Sequence, residues 1–203
     1  MILKIREIKE IERTIINETV EVHMNSFKGF FLTFLGKGFL RQLYNGFVEH
    51  KDSGLIVVQE KGVVVGFLAY SQNMSAFYKY LLKKHFISFA FYAFGGFVRK
   101  PKVFFRLIRA LTYSKEAKRE EKYIELSSIG INPDCSNKGI GSKLIDELKE
   151  SVKGTTAEYI KLETDAENNE KANHFYIKNG FVLHHTYETR EKRKMHEYRF
   201  YLH

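Results

Sequence analysis

Between residues 124 and 148 the chain passes from an extended apolar run, through a glycine turn, into a helical pattern, and few folds accommodate that unit. Ile124, Leu126, Ile129 and Ile131 read as a strand, while Leu144, Ile145 and Leu148 recur at helical spacing. The junction between them is Ser136-Asn137-Lys138-Gly139-Ile140-Gly141-Ser142. A helix leaves its first backbone N–H groups without partners, and its dipole puts partial positive charge at that end, so the turn forms an anion cradle. Gly139 and Gly141 remove side chains that would keep a diphosphate from those N–H groups, and Lys138 adds a cation. The spacing is not that of a P-loop, because no Gly-Lys-Ser/Thr closes it. Nor is it the dinucleotide fingerprint, which needs a third glycine and an acidic residue about 20 positions on. A phosphorylated cofactor lying on this turn is the expectation.

At 203 residues the chain suits one well-buried domain, or one domain with a large insertion. The lone Cys135 excludes a disulfide framework within the chain and suits a reducing cytoplasm. Met1 to Val20 carries charge throughout, so no signal peptide is read there. The longest uncharged apolar stretch, Phe86 to Val98, has 13 residues, short of the ~20 that span a bilayer. The net charge of +9 is concentrated: Lys79 to Lys122 holds 12 Lys and Arg against three Glu, and the rest of the chain is neutral. The same region is rich in Phe and Tyr. Such a shift in composition marks a helical, basic and aromatic insertion at about 74–120, the natural place to look for substrate specificity.

Periodicity places a short strand at Ile2 to Arg6 and helices at Ile8 to Met24 and Gly36 to Val48. Strands at Leu55 to Gln59 and Val63 to Tyr70 are joined by the Glu60-Lys61-Gly62 turn. Then follow a strand at Tyr123 to Ile131, a helix at Gly139 to Val152, a strand at Tyr159 to Thr164 and a helix at Asn169 to Asn179. Phe181 to Tyr187 and Glu197 to Leu202 close the chain as strands. The order predicts a single α+β domain over residues 1–203, with a mixed, mostly antiparallel twisted sheet flanked by helices.

A second constellation lies about 40 residues after the first: Asn169-Glu-Lys-Ala172-Asn-His-Phe175-Tyr176-Ile-Lys-Asn-Gly180-Phe181. Together the two segments resemble the GNAT superfamily of acyl-CoA-dependent N-acyltransferases. There the first segment is Arg/Gln-x-x-Gly-x-Gly/Ala, and the second is Asn-x-x-Ala-x-x-Phe/Leu-Tyr-x-x-x-Gly-Phe. Every anchor of the second matches, and the first departs where Ser136 replaces Arg or Gln.

The resemblance implies coenzyme A as the carrier of an acetyl or other short acyl group, with no metal. It implies that Ile129, Gly130 and Ile131 offer backbone groups to the pantetheine arm, and that Ser136 to Ser142 hold the diphosphate. It gives Asn169 a contact to the arm, and Tyr176 the role of general acid at the sulfur. Glu125 is the candidate general base, with Glu163, His23 and His85 as rivals. Cys135, at the diphosphate end, is a poor candidate for a covalent intermediate, so direct attack is expected.

The acceptor is expected to be a small-molecule amine, specifically a dTDP- or UDP-linked amino-deoxysugar for surface polysaccharide. The segment Asn25 to Gly36 and the long insertion are similar to GNAT enzymes of that kind. Asn25, Phe30, Tyr78 and His85 are the candidate acceptor contacts. Arg and Lys of the insertion would meet the diphosphate, and an aromatic would stack on the base. The alternatives are another small amine or a protein amine, or a basic module with a degenerate CoA site on a membrane surface or on nucleic acid, neither of the last two favoured. A cytoplasmic homodimer is expected.

Overall fold

In the computed structural model the described residues are 3–84, 122–136, 138–189 and 191–202. The strands are β1 (Leu3–Glu7), β2 (Ser53–Glu60), β3 (Val63–Ser71), β4 (Tyr123–Ile131), β5 (Tyr159–Asp165), β6 (Val182–Glu188) and β7 (Lys194–Tyr201). The helices are α1 (Arg13–Ser26), α2 (Phe31–Phe34), α3 (Gly36–Glu49), α4 (74–84), α5 (Ile140–Ser151) and α6 (Glu170–Lys178). Of the insertion expected at about 74–120, α4 is helical, and the remainder, with His85, lies outside the described residues.

The strands form one sheet in the order β1-β2-β3-β4-β5-β7-β6. Its neighbouring pairs run antiparallel except for β4 and β5, which are parallel. Both faces of its centre are covered, as β2 shows. Leu55 and Val57 pack with α1, α3 and α4, while Ile56 and Val58 pack with α5. Its run of four apolar residues therefore replaces the alternation of a half-exposed strand.

Two boundaries differ by three residues or more from the sequence expectation. The first helix starts at Arg13, not Ile8, because Ile8 still donates its N–H to the Leu55 carbonyl at 2.8 Å. Arg6 also grips Glu12 through two bonds of 2.6 and 2.8 Å, which holds the link extended. The last strand begins at Lys194, three residues before the expected Glu197.

β4 carries an irregularity that positions the site. Leu126 pairs with Tyr70 and Ser128 with Ala69, so Ser127 is an extra, bulged residue. The bulge resets which residues face which layer. Before it, Ile124 and Leu126 point to the α5 side; after it, Ile129 and Ile131 do, while Gly130 lies against Phe27 and Phe67 on the α1 side. A side chain at Gly130 would meet Phe67 at 2.6 Å, so close packing demands glycine here.

The α1 layer encloses His23, which is buried between Phe27, Phe67 and Tyr44, with the Tyr44 hydroxyl 2.6 Å from its Nδ1. Burial pushes its pKa down to about 4. The unfolded chain binds a proton at this residue below about pH 6.5 and the folded chain does not, so stability falls as pH drops through that window. We expect His23 to remove about 2 kcal/mol of stability between pH 7 and pH 5. Urea unfolding at both pH values, with His23→Gln showing a correspondingly smaller pH difference, checks this.

Candidate active site

The parallel pair β4–β5 holds together only over Tyr123, Ile124 and Glu125, which face Tyr159, Ile160 and Lys161. Beyond that point the strands part, and β4 runs on to Ile131 without β5 beside it. Backbone donors and acceptors on an unpaired strand edge must find another partner. An extended ligand arm with amide groups fits such an edge.

At the vertex of this V lies Lys161, which is buried. Its Nζ is 3.1 Å from Glu125 Oε2 and 3.3 Å from Glu163 Oε1. Burial alone would lower its pKa, but the carboxylates of Glu125 and Glu163 outweigh that and raise it, so the ammonium is retained. Glu163 also accepts a hydrogen bond from the Tyr187 hydroxyl, whose pKa is raised by burial and by that carboxylate. The two rival bases are thus brought together on one ammonium. His23 is not with them, since it belongs to the α1 core, and His85 lies outside the described residues.

The far end of β4 leads through a turn at Pro133–Cys135 to the start of α5. Gly139 caps α5 with φ +72°, a left-handed conformation that glycine adopts without strain. The first helical bond runs from Lys143 N to Gly139 O at 3.2 Å, so the N–H groups of Ile140, Gly141 and Ser142 precede the helical ladder. That is the donor set expected for a diphosphate. Lys138 lies on this turn, 3.8 Å from Glu60.

Two expectations for the turn need correction in detail. Gly141 is buried, and a Cβ there would meet the Phe175 ring at 2.9 Å and Ile131 at 3.1 Å; its glycine serves packing between α5, β4 and α6, not ligand approach. The Ser136 hydroxyl donates to the Pro133 carbonyl at 2.7 Å, closing the turn rather than standing in for Arg or Gln. Cys135 is buried, which removes it as an exposed nucleophile. Asn137 lies outside the described residues.

On the other arm, Asn169 occupies the N-cap position of α6 but makes no cap bond. Its Nδ2 instead donates to Thr164 Oγ1 at 2.7 Å and to the Asp165 carbonyl at 3.2 Å, tying the end of β5 to α6. Tyr176 is half-buried against Phe175, Phe181 and Tyr198, and burial pushes its phenol up to about 12. It stays protonated at neutral pH and can donate a hydrogen bond throughout that range.

The expected acceptor contacts do not converge. Asn25 and Phe30 are exposed around the end of α1, where Ser26 Oγ donates to the Ile131 carbonyl at 2.7 Å. Tyr78 is half-buried on α4, against Phe77 and the core of the α1 side. α4 follows the Ser71 end of β3, which pairs with Glu125, while Ile131 pairs with Gly66, so roughly 20 Å of strand separates the two regions. Sequence reasoning missed Lys161, Tyr187 and the Ser127 bulge. Only the bulge left a signal: the apolar positions of β4 are spaced by two, three and two residues.

The comparisons agree with this geometry. The family model described as "Acetyltransferase (GNAT) family" matches residues 24–181. The chain therefore belongs to the GNAT acetyltransferase family and is an acyl-CoA-dependent N-acyltransferase. No curated protein matches it. Its fold is shared by a GNAT-family protein from Desulfovibrio desulfuricans, at 13% identity and TM-score 0.66 over 100% of both chains. An N-acetyltransferase from Staphylococcus aureus Mu50 is similar at 16% identity and TM-score 0.61, again over 100% of both chains. A Bacillus anthracis protein solved in complex with acetyl coenzyme A has 16% identity and TM-score 0.51, over 78% of this chain and 67% of that one. Among the described residues no helix is long and apolar enough to cross a membrane.

A Gly139→Val substitution forces a β-branched residue into the left-handed region at a cost of roughly 1–3 kcal/mol. We expect it to weaken acetyl-CoA binding by about tenfold or more, read by titration calorimetry, with the thermal unfolding of the free protein followed as a control.

Proposed function

We propose that this enzyme moves an acetyl or other short acyl group from coenzyme A to the primary amine of a dTDP- or UDP-linked amino-deoxysugar, by direct attack. The observation that carries the chemistry is the parting of β4 from β5 beyond Glu125, with the α5 N-terminus at one end of the opening. The described residues fit a CoA thioester on that account: amides for the diphosphate, an unpaired strand edge for the arm, and a protonated phenol on α6. The thioester supplies the activated acyl group, and this chain's residues do the rest.

The amides of Ile140, Gly141 and Ser142, with Lys138, hold the diphosphate. A β4 N–H within Ile129 to Ile131 polarises the thioester carbonyl; an oxyanion donor of this kind is worth about 3–4 kcal/mol in acyl transfer. Tyr176 donates a hydrogen bond to the departing sulfur. Glu125, on the α1 face of β4, takes the proton released by the attacking amine, directly or through a water. Lys161 holds that carboxylate in place. Asn169 joins α6 to the β5 arm and keeps Tyr176 in register with it.

The acceptor reading is supported by the charge and aromatic content of residues 79–122, which suit an anionic nucleotide. Asn25 and Phe30, by the Ile131 end of β4, are available to the sugar. The enzyme works in the cytoplasm as a homodimer in this reading. A second reading, a cationic small amine as acceptor, is favoured by the carboxylates of Glu125 and Glu163 at the vertex. A panel of nucleotide-linked amino sugars and di- or polyamines, assayed with several acyl-CoAs by thiol release, decides between them. Turnover with the nucleotide sugars and not with the polyamines supports the first; the reverse order overturns it.

Removing the Tyr176 hydroxyl should act on the chemical step. We expect Tyr176→Phe to lower kcat about 10²-fold while leaving KM for acetyl-CoA within a few-fold. Because the phenol functions in its protonated form with a pKa near 12, the wild-type rate should show no alkaline loss attributable to it below about pH 11. A pH–kcat profile of wild type and variant tests both statements.

A further inference from the structure

The edge pair β6–β7 also contains a bulge. Leu183 pairs with Tyr198 and His185 with Glu197, so His184 is an extra residue without a partner across the ladder. In a regular strand two consecutive side chains point to opposite faces. Here the bulge brings His184 beside His185, with ring centroids 5.3 Å apart. The donor atoms of His184, His185 and Glu197 all lie within 4.8 Å of one another, and His185 Nδ1 is 3.9 Å from Glu197 Oε2. No spacing in the sequence signals this group, because Glu197 comes from the other strand of the pair.

We propose that His184, His185 and Glu197 form a binding site for a divalent transition ion of borderline softness, such as Zn²⁺. Two imidazoles and one carboxylate make the usual three-ligand set for such an ion, with further positions left to water or a ligand. Metal–donor bonds of about 2.0–2.1 Å put tetrahedral donors roughly 3.4 Å apart, so the three groups need shifts of only about 1 Å to close on an ion. The two histidines are exposed, which gives the ion a route in, and Glu197 is fully buried, which fixes the carboxylate in advance. Its Oε1 accepts from Arg199 Nε at 2.8 Å, an anchoring bond of the kind that orients metal ligands.

Charge is the main counterweight. Arg199 and Lys161 lie nearby, but Glu125, Glu163 and Glu197 outnumber them. A cation therefore enters a cluster whose carboxylates outnumber its Lys and Arg side chains. Glu197 pairs across the sheet with Glu163, so the ion would sit one strand away from the vertex of the cleft. This metal site does not depend on which amine the enzyme acylates.

The test uses tag-free full-length protein, since a polyhistidine tag would bind the same ions. Calorimetric titration with ZnCl₂, and the visible absorption of added Co²⁺, should show one equivalent bound with micromolar or tighter affinity. His184→Ala and His185→Ala should each weaken Zn²⁺ binding on the order of 10²-fold, and His174→Ala should not. Both histidines are exposed, so the variants are expected to fold, which circular dichroism verifies; Glu197→Gln is avoided because it disturbs a buried pair. Absence of binding at 100-fold molar excess, or binding that survives the double His184→Ala/His185→Ala change, overturns the proposal.

Discussion

A single ammonium group sits where the sheet divides. Lys161 contributes the last residue of the parallel ladder and faces Glu125, the last residue of the same ladder on β4. Each of its two close carboxylates gives about 5 kcal/mol of gross attraction at an effective dielectric near 20, against a desolvation cost of several kcal/mol for the buried ammonium. The balance favours the charged form, as the raised pKa indicates. An ion pair of this kind is a poor source of net stability. It is a good source of registry, because its geometry fails if the two strands slip or if the vertex opens one residue earlier. The cleft is therefore defined at its closed end by electrostatics and along its length by the parting of β5 from β4.

The two layers divide the labour. On the α5 side, Ile129 and Ile131 join a core shared with α5, β5 and Phe181, which fixes the arm of β4 along which the thioester would lie. On the α1 side, Gly130 is pressed by Phe27 and Phe67, and Ser26 holds the Ile131 carbonyl. The Ser127 bulge is what lets one strand satisfy both. Without it, the apolar residues at either end of β4 would face opposite layers.

Much of this was legible in the residues themselves. The strand–glycine–helix unit, the Asn169 to Phe181 segment and the order of strands each rest on local chemistry: alternation, helical period, a left-handed cap. What the sequence withheld depends on contacts between distant strands. Nothing around Lys161 reveals that it will lie between Glu125 and Glu163, and nothing around His184 and His185 reveals Glu197. The glycines were legible as positions but misread in cause. Gly139 is required by its φ, whereas Gly141 is required by a ring from α6 that no local pattern announces. α1 starts later than local helical periodicity indicates because a tertiary bond from Ile8 to Leu55 overrides it.

The contact between Gly141 and Phe175 has a wider meaning. Phe175 immediately precedes Tyr176 on α6, and Gly141 stands in the first turn of α5, so the helix that would grip the diphosphate touches the helix that carries the phenol. With the ring this close, any shift of α5 toward α6 must move the aromatic pair along with it. Grip and chemistry are then mechanically one variable. Natural variation at these two positions should alter affinity for the donor and turnover together, and a lineage that loosens one should have repacked the other.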